Sequence, residues 1–370
     1  MSESGELLRS AREDLARGWS VRAGTRLRQA AAAGEPDALA ALLRALLLHQ
    51  IPGGASEARA RLEAGTALAP ELLWLRATLR YVALGGPADP RGAIADLSAA
   101  ASGGLAEAAM ELALLCHEAG DIAGSRSWLS QVAASHALAR DLLLLLPPAA
   151  DAIPGSSPIP GDWPEQRKPA TREQLSADPA IVRFREAFHP LECAWLRGIS
   201  RPRLAPSLVV DPQTGRPRPD ATRTSETMCF DPASPGVYAR RMAARMARLA
   251  GRDPACGEPL SILRYRPGQE YKPHYDWMGA AGLAGDGFRG AGERAMTALG
   301  YLNVPDQGGA TLFTRLDIRV EPGLGDVLVF SNLDSTGRPE MRSQHAGEPV
   351  AAGEKWLASL WIRERAVPLG

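Results

Sequence analysis

In the stretch Arg264-Tyr-Arg-Pro-Gly-Gln-Glu-Tyr-Lys-Pro-His-Tyr-Asp-Trp277, His274 and Asp276 stand two residues apart. Side chains at i and i+2 of an extended strand point to the same face, so an imidazole and a carboxylate can emerge side by side. That is half of a metal site. A second histidine would complete a 2-His-1-carboxylate face, a donor set that holds ferrous iron and leaves coordination positions open. His345, in Ser-Gln-His-Ala-Gly-Glu-Pro-Val, follows one strand-like run and precedes the last, and can supply that ligand. Lys355 lies ten residues further on, where the closing run begins. With His345 as a ligand, an adjacent strand would carry this ammonium into the same cavity. A buried cation needs an anion, and a dicarboxylate cosubstrate would provide one.

These residues need a scaffold of short strands, and the second half of the chain reads that way. Strand-like runs occur at 260–264, 295–304, 310–313, 318–320, 327–331 and 356–363, with turn signals such as Pro322-Gly323 between them. Many short strands so spaced indicate a sandwich or jelly roll. Residues 181–188 form an apolar entry segment, and helices are predicted at 190–199 and 237–251. The second helix places Tyr238, Met242, Met246 and Leu249 on one face. The glycine-rich stretch 279–292 reads as a mobile loop over the site. Asp317 and Asp326 read as strand-end or turn residues.

Residues 1–150 read as helix after helix, with apolar steps of three and four such as Leu39, Leu42, Leu43 and Leu46. The segment around Ala38 resembles that around Ala108, an offset of 70, or two units of 35. Such a period suggests a helical solenoid, similar to Sel1-like or tetratricopeptide repeats. His49, His117 and His136 occur singly there and read as packing or surface residues. Residues 151–179, rich in Pro and Gly, read as a semi-rigid linker ahead of a second domain at 180–370. That division predicts a barrel that folds and binds iron without residues 1–150.

Totals exclude several classes. Lys plus Arg equals Asp plus Glu at 42 each, so no global field draws the chain to nucleic acid or an acidic membrane. The apolar run 142–146 is far short of the ~20 residues of a membrane span. Cys116, Cys193, Cys229 and Cys256 form no CxxC pair and read as reduced thiols. The acidic amino terminus does not resemble a signal peptide. A cytoplasmic protein is expected.

Several segments carry a resemblance. These are Arg223-Thr-Ser-Glu, Tyr265-Arg-Pro-Gly-Gln-Glu-Tyr-Lys-Pro-His-Tyr-Asp and Arg294-Ala-Met-Thr-Ala-Leu-Gly-Tyr-Leu-Asn. Gly308-Gly-Ala-Thr-Leu-Phe and His345-Ala-Gly-Glu-Pro-Val-Ala-Ala-Gly-Glu-Lys-Trp complete the set. In this order, over roughly 180–365, the sequence resembles the prolyl 4-hydroxylase branch of the 2-oxoglutarate/Fe(II)-dependent dioxygenases. The resemblance implies an α+β multidomain protein, with an all-α repeat domain ahead of a double-stranded β-helix (jelly-roll) catalytic domain and flanking helices.

It further implies that His274, Asp276 and His345 bind Fe(II), and that Lys355, helped by Tyr265 and Thr311, holds the distal carboxylate of 2-oxoglutarate. Tyr271 and Arg294 match catalytic positions, and with Trp361 and Arg363 they match positions that line the substrate side. Arg223 reads equally as a salt-bridge partner or as a residue near the site. O₂ is the implied oxidant, and ascorbate an accessory reductant. Relatives that halogenate lack the carboxylate that Asp276 supplies. Two positions depart from the pattern: Ala310 stands where Glu is usual, and Arg363 where some relatives carry His. The expected reaction is hydroxylation of a peptidyl proline, with succinate and CO₂ as coproducts. The alternatives are a free amino acid or small metabolite as substrate, or a repeat scaffold that binds a protein partner or mediates dimerisation beside a weakly active barrel.

Overall fold

A computed structural model describes residues 2–368, apart from 36, 149–169, 211–216, 219, 280–282, 284–287 and 289. Among the described residues, the first half forms nine helices: α1 (Glu3–Ala16), α2 (Ser20–Ala32), α3 (Ala38–Leu47), α4 (Gly54–Ala64), α5 (Pro70–Tyr81), α6 (Pro90–Ser102), α7 (Ala106–Glu118), α8 (Ile122–Ala133) and α9 (Ala137–Leu144). The odd-numbered helices begin at residues 3, 38, 70, 106 and 137, in steps of 35, 32, 36 and 31, which is the anticipated two-helix period. Local chemistry starts each unit. Pro70 and Pro90 open α5 and α6, where a missing N–H costs nothing. Asp89 and Asp121 accept from the backbone N–H of Gly92 and Gly124 at the first turns of α6 and α8. Leu42, Leu43 and Leu46 of α3 are fully buried.

The second half contains β1 (Thr171–Ser176), β2 (Ile181–Arg185), α10 (Pro190–Ser200), β3 (Ala205–Pro206), β4 (Val209–Val210), β5 (Pro217–Arg218), β6 (Glu226–Cys229) and α11 (Val237–Leu249). There follow β7 (Ser261–Tyr265), β8 (Tyr271–His274), β9 (Arg294–Tyr301), β10 (Gln307–Gly308), β11 (Thr311–Phe313) and β12 (Ile318–Val320). The chain closes with β13 (Val327–Ser331), β14 (His345–Gly347), β15 (Val350–Ala352) and β16 (Lys355–Arg363). One sheet runs β1-β2-β13-β9-β16-β7-β6-β3 and a second runs β12-β11-β14-β8. The core between them includes Leu263, Tyr265, Leu299, Tyr301, Phe313, Phe330 and Leu357, a jelly roll as expected.

Strand alternation decides which side chains see that interior. Along β16, Leu357 joins the core between the sheets, while Trp356, Ala358, Leu360 and Ile362 join the core on the helix side. There α11 packs on β16 and β9, and α10 on β7. Asp326 closes a turn by pairing with Arg183 and accepting from the N–H of Glu186, the structural role anticipated for it.

Two expectations about the division of the chain need correction. Thr171–Ser176 is a strand paired with β2, so a linker reaching to 179 is too long, and residues 151–169 lie outside the described ones. More consequentially, the helical layer and the sheet domain are not independent bodies. Trp74, Leu97, Leu112 and Leu115 share one continuous core with Trp195, Tyr238, Met242 and Met246.

Buried polar groups cross the junction too. Glu118 of α7 accepts from Arg241 at 2.6 Å and from Arg245 at 2.9 Å, and Arg245 also reaches Glu192 of α10. Thr78 Oγ1 and Glu111 accept from the N–H groups of Gly236 and Tyr238, where α11 begins. Two repeats thus cap a helix of the other domain. Burial pushes the Glu111 carboxyl up to about 7.

Candidate active site

The three proposed ligands converge. β14 pairs antiparallel with β8 so that His345 lies directly opposite His274, and on its other side Phe313 of β11 faces His345. Asp276 follows two residues beyond the end of β8, in a bend rather than in the strand itself. His274 Nε2 lies 3.6 Å from Asp276 Oδ1, and His345 Nε2 lies 3.7 Å from Asp276 Oδ2. All three donor atoms fall within 4.8 Å of one another. Donors about 2.1 Å from a metal on one octahedral face would sit roughly 3 Å apart. A slight inward rotation of these side chains therefore suffices.

Both imidazoles are prepared for ligation. His274 Nδ1 faces the Lys272 carbonyl at 2.8 Å and His345 Nδ1 faces the Ser343 carbonyl at 3.1 Å. Donation from Nδ1–H to those carbonyls leaves each Nε2 lone pair aimed at the centre. Burial, and then the neighbouring His345, push His274 down to about 3, so its ring is neutral. Burial alone would raise Asp276, but His345, His274, the Thr297 hydrogen bond and Arg294 hold its carboxyl below the usual range. The donor set therefore fits ferrous iron: two neutral nitrogens, one anionic oxygen and an open side.

Three supporting residues had not been singled out from the sequence. Thr297 Oγ1 donates to Asp276 Oδ2 at 2.7 Å, and Asn332 Nδ2 donates to Thr297 Oγ1 at 2.9 Å. Glu258 accepts from Arg294 through both carboxylate oxygens. A period-two reading of β9, with Thr297, Leu299 and Tyr301 on one face, points to Thr297. Asn332 and Glu258 depend on register between distant strands. Thr297→Val removes the donor that orients Asp276, and is expected to weaken Fe(II) affinity about 10- to 100-fold. Titration of the metal-free protein with Fe(II) under anaerobic conditions measures this, and unchanged affinity would show the contact to be incidental.

Lys355 opens β16 opposite Tyr265 of β7 and is 2% exposed. Its Nζ lies 5.7 Å from the Tyr265 ring centre and 5.9 Å from that of Tyr301, and among the described residues no carboxylate pairs with it. Burial pulls the ammonium down to about 7, partly opposed by Glu348. A buried, unpaired amine lining the same cavity as the triad is suited to the distal carboxylate of a keto acid. Thr311 and Tyr265 line that cavity, and Tyr301, which the sequence reading did not single out, donates its hydroxyl to Thr311 Oγ1 at 2.9 Å.

The amine also yields a pH prediction. Folding lowers the Lys355 pKa, so the unfolded chain binds more protons between pH about 7 and about 10.5. This group's contribution therefore favours folding increasingly as pH rises through that window. An anion beside it reverses the shift. Binding of 2-oxoglutarate at pH 8 is expected to take up a proton, read by calorimetry in buffers of different ionisation enthalpy. Lys355→Met should abolish the uptake and raise the 2-oxoglutarate requirement.

The residues assigned to the substrate side divide. Tyr271 stacks on His274, ring centres 3.4 Å apart, and lines the cavity with Trp361. Arg223 also lines it, 5.2 Å from the Tyr271 ring centre, and pairs with no carboxylate among the described residues, so the site reading replaces the salt-bridge one. Arg294 does not line the cavity. Its guanidinium stacks on Trp361 at 3.7 Å and is gripped by both oxygens of Glu258. Arg363 is fully buried, donating to Glu258 and to the Gly292 carbonyl. These two arginines brace the cavity wall from behind, a correction to their placement on the substrate side. Residues 280–282, 284–287 and 289 of the expected loop lie outside the described ones.

Comparison with known proteins agrees with this geometry. A family model described as the 2OG-Fe(II) oxygenase superfamily matches residues 260–363. The chain is 33% identical over 210 residues to prolyl 4-hydroxylase 1 of Arabidopsis thaliana, covering 52% of this chain and 72% of that protein. It is 32% identical over 199 residues to prolyl 4-hydroxylase subunit alpha-1 of Rattus norvegicus, where it covers 53% of this chain but spans only 37% of the relative. Among solved structures, the viral collagen prolyl hydroxylase of Paramecium Bursaria Chlorella virus-1, in complex with 2OG, aligns at 26% identity with a TM-score of 0.39, over 50% of this chain and 95% of that one. With a triad that fits iron and a relative 33% identical over 72% of its own length, the chain belongs to the 2OG-Fe(II) oxygenase superfamily, in its prolyl 4-hydroxylase branch.

Proposed function

We propose that the enzyme hydroxylates a prolyl residue within a peptide, with 2-oxoglutarate converted to succinate and CO₂. The observation that carries this reading is the cavity itself, in which the triad and Lys355 lie beside a wall of Tyr271, Trp361 and Arg223. When bound, the metal with 2-oxoglutarate and O₂ supplies the oxidation of a C–H bond. The chain's residues do the rest. His274, Asp276 and His345 would hold the metal, and Thr297, by donating to Asp276 Oδ2, keeps that carboxylate oriented beside the two imidazoles. Lys355 would pair with the far carboxylate of the keto acid. The aromatic faces of Tyr271 and Trp361 offer an apolar surface to a pyrrolidine ring. Arg223, with no carboxylate partner among the described residues, and Trp361 Nε1, a buried donor with no hydrogen-bond partner among them, can hold peptide carbonyls.

Arg223 also supports a second reading, since a free amino acid would offer it a carboxylate. Decarboxylation of 2-oxoglutarate separates the two. Stimulation by proline-containing peptides, with a gain of one oxygen atom in the peptide mass, is the expected result. Stimulation by free amino acids alone would replace the peptide reading.

The helical layer lies on the face of the large sheet opposite the cavity, so we assign it support of that sheet rather than delivery of substrate. The free thiols of Cys116, Cys193, Cys229 and Cys256 fit a reducing compartment, and we propose the cytoplasm.

A further inference from the structure

Asn332 follows directly after β13 and is fully buried, yet its side-chain carbonyl Oδ1 has no hydrogen-bond partner among the described residues. A buried acceptor left in that state costs stability, and folded proteins keep few of them. The other end of the amide is engaged. Asn332 Nδ2 lies 2.9 Å from Thr297 Oγ1, which lies 2.7 Å from Asp276 Oδ2.

The chemistry of the three groups leaves one direction for this chain of hydrogen bonds. An ionised carboxylate only accepts, so the proton between Thr297 and Asp276 belongs to Thr297. That hydroxyl has no second proton and meets Asn332 only as an acceptor. Turning the amide over would set Oδ1 against an oxygen with no proton left to give. The unpartnered carbonyl is therefore the consequence of keeping an N–H on Thr297. With that N–H in place the Thr297 hydroxyl is held toward Oδ2, and Asp276 Oδ1, 3.6 Å from His274 Nε2, is the oxygen left for a metal.

The backbone fixes Asn332 in the frame that also carries the second histidine. Its N–H donates to the Ala295 carbonyl of β9, and its carbonyl accepts from Glu340 N–H, each at 2.9 Å. The Glu340 carbonyl accepts from the Ser343 hydroxyl at 2.7 Å, and the Ser343 carbonyl faces His345 Nδ1 at 3.1 Å. We infer that Asn332 is a positioning residue for the metal site, orienting Asp276 through Thr297 from a point held in the same backbone frame as His345.

The test is anaerobic Fe(II) titration of the metal-free, full-length protein. Asn332→Ala removes the donor and is expected to weaken Fe(II) about three- to tenfold, less than loss of the Thr297 hydroxyl itself. In a Thr297→Val background the same change should cost nothing further, because the group it acts through is gone. Asn332→Asp keeps the shape but offers Thr297 a carboxylate that competes with Asp276 for its proton, so it should weaken Fe(II) at least as much as alanine does. A packing role alone would make that isosteric change the milder one. The aspartate variant also keeps the test decisive should the alanine variant fail to fold. Wild-type affinity in a folded Asn332 variant, a milder loss with aspartate than with alanine, or an undiminished loss in the Thr297→Val background overturns the inference.

Discussion

Asp276→Ala is expected to bring succinate formation from 2-oxoglutarate down to the protein-free background, even at saturating Fe(II). Asp276 is the only anion in the donor set, and its two oxygens face the two imidazoles at 3.6 and 3.7 Å. Its loss leaves two neutral nitrogens on adjacent strands, and frees Thr297 Oγ1 from its acceptor. An outer-shell deletion at a metal site costs about 10- to 100-fold, and removal of a ligand itself must exceed that. His345→Ala and His274→Ala belong to the same class, because each removes one of three positions no neighbouring side chain can fill. Among the described residues no other His, Cys, Asp or Glu joins this cluster. The measurement is succinate yield over a range of Fe(II) concentrations. Turnover within tenfold of wild type in any of the three variants would mean the metal is held elsewhere.

How much of this site could be read before the fold was known depends on sequence distance. His274 and Asp276 sit two residues apart, and the motif around them is local. His345 and Lys355 belong to one continuous stretch, so their order constrained their roles. The supports lie differently. Thr297 meets Asp276 across 21 positions and Asn332 meets Thr297 across 35. Glu258 meets Arg363 across 105, and no local pattern marks such pairs. Arg294 and Arg363 show the same limit from the other direction. Their types suit a substrate anion, but a buried carboxylate already holds both.

The junction between the halves was also hidden, and α11 shows why. Its apolar positions Tyr238, Met242 and Met246 make one legible face, and the arginines between them look like a solvated one. Yet Arg241 is 4% exposed and Arg245 7%, because Glu118 and Glu192 meet them from α7 and α10. A helix with two buried faces needs partners on both sides.

The polypeptide 170–370, lacking the helical layer, is therefore expected to be insoluble or to lack a cooperative melt. Removing α1–α9 would expose the sides of Trp195, Tyr238 and Met242 that now meet Trp74, Leu112 and Leu115. It would also strip Arg241 of its carboxylate and leave the first N–H groups of α11 without Thr78 and Glu111. A single change probes the same junction. Glu118→Ala leaves two buried guanidinium groups short of their anion, a loss of the kind that costs about 3–5 kcal/mol. Glu118→Gln, which keeps the volume and part of the hydrogen bonding, should cost less. Chemical denaturation of the full-length variants reads both values, and soluble yield with circular dichroism reads the truncation. Because α11 packs on β16, which carries Lys355 and Trp361, loss of the layer should also weaken 2-oxoglutarate binding in any fraction that stays folded. A soluble 170–370 fragment that melts cooperatively and binds Fe(II) and 2-oxoglutarate as the full chain does would show that the shared core is dispensable and that the two halves are separate domains after all.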